Sequence, residues 1–213
     1  MQANPLRKAT TYEVGREREP VVVVDDVFVD PRALVELIAG TCDFSPTASA
    51  GNFYPGLRAQ APAGYVRRLS QAVGPVVAQA FSDLAGRRAR TSACVSLVTF
   101  AADQLNLAQR LPLFDAVDPG QIAVLHYLCD ASHGGNAFYR HRSSGLEAIT
   151  PERSAGYVAA LQRELDETPP PQAYVTGDTP LFEQIGAVDA RFDRVVIYRS
   201  RLLHAGNILP TCK

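Results

Sequence analysis

The stretch from residue 191 to residue 207 constrains the fold of this chain most strongly. Residues 195–198, Val-Val-Ile-Tyr, predict a buried strand, and a polar turn then leads to a second short strand that carries His204. A histidine beside Gly206 at a strand end can face a cavity, or it can be a core residue with its hydrogen bonds satisfied. The stretch alone leaves both interpretations open.

The remaining pattern predicts an α+β fold in which helices come first and strands dominate later. The interpretation is a flexible arm over residues 1–20 and a single domain over residues 21–213, with helices packed on one face of a mainly antiparallel double sheet. The predicted strands lie near residues 21–24, 91–100, 121–128, 136–140, 182–188 and 195–198. The predicted helices begin at Pro31, Pro62 and Thr150, and residues 43–62 form a loop.

The second of these helices carries the longest apolar stripe in the chain. Its stripe includes Leu69, Val73, Val77 and Phe81, which we expect to pack on the outside of the larger sheet. The Gly74-Pro75 pair should kink or split this helix. The third helix should turn an inner face toward the core, formed by Tyr157, Val158, Leu161 and Leu165.

Composition excludes several classes of function. The chain has 213 residues and a net charge of -1, which gives no electrostatic case for binding nucleic acid or an anionic membrane. No apolar run approaches the roughly 20 residues that span a bilayer, and no signal peptide is evident at the N-terminus. The four cysteines show no Cys-x-x-Cys spacing. We therefore expect reduced thiols, no zinc site and a cytoplasmic location.

Four features follow one another in the second half of the chain. They are Leu-Pro-Leu-Phe-Asp at residues 111–115, the strand at residues 124–128, Gly-Gly-Asn-Ala-Phe-Tyr at residues 134–139, and the strand pair ending at His204. In this order they resemble the Fe(II)/2-oxoglutarate dioxygenases, specifically the prolyl-hydroxylase-like branch and its uncharacterised bacterial relatives. The resemblance covers about residues 91–207.

This resemblance implies a double-stranded β-helix, or jelly-roll, core and a set of site residues. Such enzymes hold Fe(II) with a His-x-Asp pair and a distal histidine, and open positions accept 2-oxoglutarate and oxygen. Asp115 matches the aspartate, His204 matches the distal histidine, and Tyr127 matches a position that often contacts the cosubstrate carboxylate. We expect Asp115 and His204 to lie on neighbouring strands within reach of one metal ion. Gly134, Gly135 and Phe138 match the family's glycine-glycine strand.

The chain departs from the pattern at the first metal histidine, because position 113 is leucine. Leucine has no lone pair, so only one carboxylate and one imidazole remain, and Leu113 should point at the same cavity. His126 could substitute for the missing histidine, but strand alternation places His126 on the face opposite Tyr127, so His126 faces away if Tyr127 faces the pocket. His133 and His141 flank the glycine-glycine strand, and we expect them to be solvated.

A second departure concerns the basic residue that anchors 2-oxoglutarate in this family, on the strand after the distal histidine. Lys213 lies nine residues beyond His204, a suitable offset, but it is the last residue of the chain. We expect either that Lys213 contacts the cosubstrate or that the closing strand is absent. Arg58, Arg199 and Arg201 are weaker candidates for contacts, and we interpret them as surface charge.

Three functional hypotheses follow. The first is an Fe(II)/2-oxoglutarate-dependent oxygenase of hydroxylase type, impaired by Leu113, that acts on a small molecule or a peptide. The second is a non-catalytic binding module on the same jelly roll, in which Leu113 fills the place of a metal ligand. The third is a jelly-roll enzyme that uses Asp115 and His204 as an acid/base pair in other chemistry.

Overall fold

A computed structural model describes residues 1–46, 54–87 and 90–209 of the chain. The described residues form the strands β1 to β10, which are Lys8–Val14, Glu19–Asp25, Ser45–Pro46, Gly56–Gln60, Cys94–Val98, Ile122–Tyr127, Gly135–His141, Phe182–Asp189, Arg194–Arg199 and His204–Asn207. They also form three α-helices, α1 to α3, which are Arg32–Thr41, Ala63–Ala80 and Pro151–Glu167.

The strands build three antiparallel sheets. The largest has the order β1-β2-β9-β6, the second has the order β10-β7-β8, and the third has the order β3-β4-β5. Strand β9 lies inside the four-stranded sheet because its β-branched run, Val195 to Ile197, is fully buried and suits a position paired on both sides. The expected mixture of helices and antiparallel sheets is confirmed.

The four-stranded sheet and the sheet β10-β7-β8 pack against each other through the inward side chains of their strands. The rings of Phe138 on β7 and Tyr198 on β9 meet edge to face, with their centroids 5.1 Å apart. We call this layer the inter-sheet core, and its buried members are Val14, Val21, Val23, Phe138, Val188, Val196, Tyr198 and Leu202.

The helices do not lie on one face, which corrects the sequence prediction. Helices α1 and α2 cover the outer side of the four-stranded sheet, where Leu34 and Val73 pack with Val22. Helix α3 instead covers the second sheet, where Tyr157 packs with Tyr139. The physical reason is that both sheets carry apolar side chains on their outer sides, so each needs a cover of its own.

Helix α2 packs as expected, with Val73 and Phe81 buried in the core beneath it and Leu69 and Val77 partly buried against that core. The prediction missed Tyr65 and Ala72, which are also buried there. The helix continues through Pro75, so of the two expected outcomes the split does not occur, and the kink stays a prediction. In α3 the predicted inner face is wrong at Val158, which is 53% exposed.

The N-terminal segment is not an irregular arm. Residues Lys8–Val14 form β1, and Ala3 forms an isolated bridge to Phe28. Polar residues hide the alternation of this strand, in which Tyr12 and Val14 turn inward. The predicted loop at residues 43–62 likewise contains β3 and β4, with residues 47–53 outside the described part.

Candidate functional site

Asp115 and His204 come together through the backbone between residue 113 and β10. Leu113 and His204 form an antiparallel bridge in which each backbone N–H donates to the other's carbonyl over 2.8 Å. Two residues later, the N–H of Asp115 donates to the carbonyl of Ser200, also over 2.8 Å. As a result, Asp115 Oδ2 lies 3.7 Å from His204 Nε2. The expected proximity of the two side chains is confirmed, but the expectation of neighbouring strands is wrong for Asp115, which lies in a bend after the isolated bridge at Leu113.

The imidazole of His204 is held in one orientation. Its Nδ1–H donates to the carbonyl of Leu202 over 2.8 Å. Its ring packs edge-on against the ring of Tyr198, with the two centroids 4.8 Å apart. Burial lowers the pKa of His204, and the neighbouring Asp115 opposes this shift. The neutral ring therefore presents the lone pair of Nε2 toward Asp115, an arrangement suited to accepting a proton or binding a cation.

Leu113 occupies the position at which the resemblance implies a third metal donor. Because it pairs directly with His204, its side chain lies on the same side of the sheet as the imidazole. Among residues 1–46, 54–87 and 90–209, no group of three or more His, Cys, Asp and Glu side chains could hold a metal ion. The donors present do not fit the three-ligand iron site of the dioxygenases.

Two buried polar groups in the inter-sheet core lack hydrogen-bond partners. They are the hydroxyl of Tyr127 on β6 and Nδ2 of Asn136 on β7. Asn136 is only 2% exposed and pairs with Val188, a member of the inter-sheet core. Burial raises the pKa of Tyr127 well above its usual range, so its hydroxyl keeps its proton and can donate. An unpaired buried donor is costly unless something binds it.

The sequence prediction missed Asn136, although a signal was present. Asn136 is the single amide between Gly135 and the apolar run Ala137-Phe138-Tyr139. The two glycines before it are required by close backbone contacts. A side chain at Gly134, whose φ is 95°, would clash with the Asn207 carbonyl, and one at Gly135 would clash with the Val188 carbonyl.

Of the residues that the resemblance implies would contact the cosubstrate, Tyr127 lies in the described part of the chain and Lys213 does not. Tyr127 pairs across the ladder with Arg194, but the Arg194 guanidinium already binds the Asp25 carboxylate at 2.6 and 3.0 Å. Its charge is therefore neutralised by a carboxylate of the protein itself. Lys213, the predicted anchor, lies outside the described residues.

Of the other three histidines, two match the prediction and one corrects it. His126 faces away from Tyr127, with Nδ1 accepting from the Tyr65 hydroxyl and Nε2–H donating to Asp193, both over 3.0 Å. His141 was expected in solvent but is fully buried. Its Nε2–H donates to Glu164 on α3 over 2.7 Å, because α3 folds back over β7.

His133 is exposed beside Asp130, as expected. Arg199 and Arg201 are not free surface charges, which corrects their interpretation. Arg201 Nη2 lies 2.7 Å from the Glu19 carboxylate, and Arg199 Nη2 lies 2.6 Å from Asp83.

The Cζ atom of Arg58 lies 4.6 Å from the centroid of the Tyr54 ring.

A separate cavity of about 210 Å³ lies beside the segment 168–182, where Arg110, Leu111 and Pro112 complete its wall. Its lining includes none of the predicted site residues.

In the described part of the chain, no helix has both the length and the apolar character needed to cross a membrane.

Comparison with other proteins places the chain in a family. Neither the comparison with curated proteins nor the comparison with solved structures finds a match. A family profile, described as a family of unknown function, matches residues 5–213, nearly the whole chain. The chain therefore belongs to the DUF6445 family.

Proposed function

We propose that this protein is a non-catalytic binding module on a jelly-roll fold of the Fe(II)/2-oxoglutarate dioxygenase type. Strand order supports the fold part of the proposal. The bridge at Leu113 extends the second sheet to four members in the order Leu113-β10-β7-β8, which packs against the sheet β1-β2-β9-β6. Two facing four-membered antiparallel sheets are what a jelly roll requires.

The observation that carries the functional part is the pairing of Leu113 with His204. An apolar side chain lies where a third metal donor would be needed, and the two remaining donors are one carboxylate and one imidazole. Two protein ligands give a metal ion neither the bond energy nor the fixed geometry of three. The site therefore binds without supporting iron-dependent oxidation.

The remaining polar groups define what the site can bind. Asp115 Oδ2 and His204 Nε2 accept hydrogen bonds, whereas Tyr127 OH and Asn136 Nδ2 donate them. The ring of Tyr198 provides an apolar wall beside His204. A small polar molecule or peptide group that carries both donors and acceptors satisfies this set, and a few placed polar groups in an apolar layer are typical of ligand sites.

An oxygenase is the second candidate, and the orientation of His204 favours it. Metal-binding histidines usually donate their second ring N–H to a backbone carbonyl, as His204 does to Leu202. In that case Asp115 and His204 would hold Fe(II), and Tyr127 would contact 2-oxoglutarate. Leu113 is the feature that separates the two candidates.

Anaerobic calorimetric titration with Fe(II) tests the proposal, alongside an assay of 2-oxoglutarate consumption. We expect the natural chain to bind Fe(II) weakly and to consume no cosubstrate. Leu113→His should raise the affinity for Fe(II) at least about tenfold, because a third donor joins Asp115 and His204. Leu111→His is a matched control. Leu111 packs against the core layer between α3 and the second sheet, so a histidine there should give no gain in affinity for Fe(II).

Two results would contradict the proposal. Tight Fe(II) binding with cosubstrate turnover by the natural chain would show that another residue completes the site. Failure of Leu113→His to gain affinity would show that the third donor position lies elsewhere. The binding role itself is tested by a thermal-shift screen of small polar molecules, in which a true ligand stabilises the natural chain but not His204→Ala.

A further inference from the structure

Strand β6 has an open edge that is unusual in its composition. It ends the four-stranded sheet of the described residues, so its strand neighbour lies on one side only, at β9. The carbonyl of Gln121 accepts from Ser200 N and that of Tyr127 accepts from Asp193 N, which directs the backbone of the odd-numbered residues toward β9. By alternation, the backbone groups of Ile122, Val124 and His126 point to the open side.

The two edges of this sheet are built differently. On the β1 edge, Lys8 and Glu13 are exposed and charged, which is a common protection against pairing with another chain. Strand β6 reads Ile-Ala-Val-Leu-His-Tyr, with no proline and no Asp, Glu, Lys or Arg. Val124, at its middle, is 39% exposed. The β6 edge therefore lacks the protection that the β1 edge has.

We propose that two copies of this chain associate by pairing their β6 strands antiparallel across a two-fold axis. This dimer does not depend on the proposed function, because the backbone groups that pair belong to Ile122, Val124 and His126. The one group on β6 that is assigned to the ligand site, the hydroxyl of Tyr127, lies on the face opposite His126. Pairing centred on Val124 sets Val124 opposite its own copy, and sets Ile122 opposite the partner copy's position 126. All three outward residues then find partners, giving about six new backbone hydrogen bonds.

A second copy fits this edge better than a charged peptide does. The edge has no charge that would repel an identical strand, and none that would attract an acidic or basic segment. The His126 side chain is already held by Tyr65 and Asp193, so it need not rearrange when the strands pair. Antiparallel strand pairing is self-complementary, as a two-fold interface requires.

The dimer should be weak and concentration-dependent. An interface formed mainly by two strand edges is smaller than the interfaces of permanently associated proteins. Sedimentation velocity over a hundredfold range of concentration should therefore show the mass rise from 23.0 kDa toward twice that value. A mass that stays at the monomer value up to the highest concentration overturns the proposal.

Two substitutions and one control test which edge is responsible. Val124→Lys adds a charge to the exposed side chain, and Val124→Pro removes an N–H that points to the open side, not to β9. Both variants should remain monomeric. Thr11→Lys places the same charge on β1 of the same sheet and should still dimerise.

Circular dichroism checks that each variant is folded. If Val124→Pro does not fold, the association of Val124→Lys alone tests whether β6 is the edge that pairs. Association that persists in folded Val124→Lys, or that is lost in Thr11→Lys, contradicts the assignment to β6.

Discussion

The two ends of strand β7 differ in how they treat buried polar groups. Toward its C-terminal end, the Arg140 guanidinium bonds to Glu147 and Glu183, each over 2.6 Å. Glu147 also accepts from the backbone N–H groups of Arg16 and Glu17, at 3.0 and 2.9 Å. Every charge at this end has a partner, and the network ties β7 to the turn between β1 and β2.

Toward its N-terminal end, β7 carries Asn136 with an unpaired amide nitrogen, near the strand that carries His204. Tyr127 on β6 is unpaired as well. Both ends are polar and buried, so polarity alone does not identify a site. The hydroxyls of Tyr139 and Tyr157 lack partners too, but they lie in the layer beneath α3. What distinguishes the N-terminal end is that its unpaired groups lie in the inter-sheet core with Tyr198, whose ring contacts His204, and they cost stability unless a ligand occupies them.

The largest effect should come from breaking the paired end. Glu147→Gln removes the charge opposite Arg140 and sets an amide against two backbone N–H donors, so we expect a loss of about 3–5 kcal/mol in the free energy of unfolding. Urea denaturation measures this loss. Glu183→Gln is the matched control and should cost less than about 1 kcal/mol, because the Glu183 side chain is 41% exposed. Equal costs would show that the two carboxylates do not differ in role.

Acid should reduce the difference between the natural chain and Glu147→Gln. Burial acts to raise the pKa of Glu147, but the hydrogen bonds from Arg16, Glu17 and Arg140 outweigh it, so the pKa lies below its usual value of 4.5. A carboxyl whose pKa is lowered by folding contributes stability above its unfolded-state pKa and loses it as pH falls through the folded-state value.

The gap in unfolding free energy should therefore be full near pH 7 and shrink below about pH 4.5. Urea titrations of both proteins at several pH values measure it. A gap that is constant down to pH 3 would refute the assigned cause.

The smallest effect should come from the unpaired end. Tyr127→Phe removes a hydroxyl that has no partner, so stability should change by less than about 0.5 kcal/mol or rise slightly. Tyr65→Phe is the contrasting variant, because it leaves Nδ1 of His126 without its donor and should cost about 1–3 kcal/mol. Thermal denaturation of both variants provides the comparison. A large loss in Tyr127→Phe would mean that its hydroxyl is already bonded.

The sequence predicted the elements whose patterns are local. The β-branched runs of β2 and β9, the start of α1 at Asp30-Pro31, and the opposite facing of His126 and Tyr127 follow from neighbouring residues alone. Asp115 and His204 were also found, since the spacing of their motifs carries the information. Their metal and cosubstrate roles remain predictions.

The sequence could not predict features that depend on distant partners. Strand β1 is mostly polar, and it forms a strand because β2 offers it an edge. His141 is buried because Glu164 reaches it from α3, 23 residues later. The division of the helices between two sheets depends on both sheets being apolar outside. None of these features has a local signal.

The pairing of β2 with β9 has a consequence for synthesis of the chain. Val22 pairs with Ile197, so the central ladder of the largest sheet joins segments from opposite ends of the sequence. At 5–20 residues per second, a ribosome needs roughly 9–35 s to make the intervening chain. Throughout that time the apolar run from Val21 to Val24 has no β9 to pair with. A chaperone would therefore matter most during this interval, while the newly made N-terminal half of the chain waits for β9.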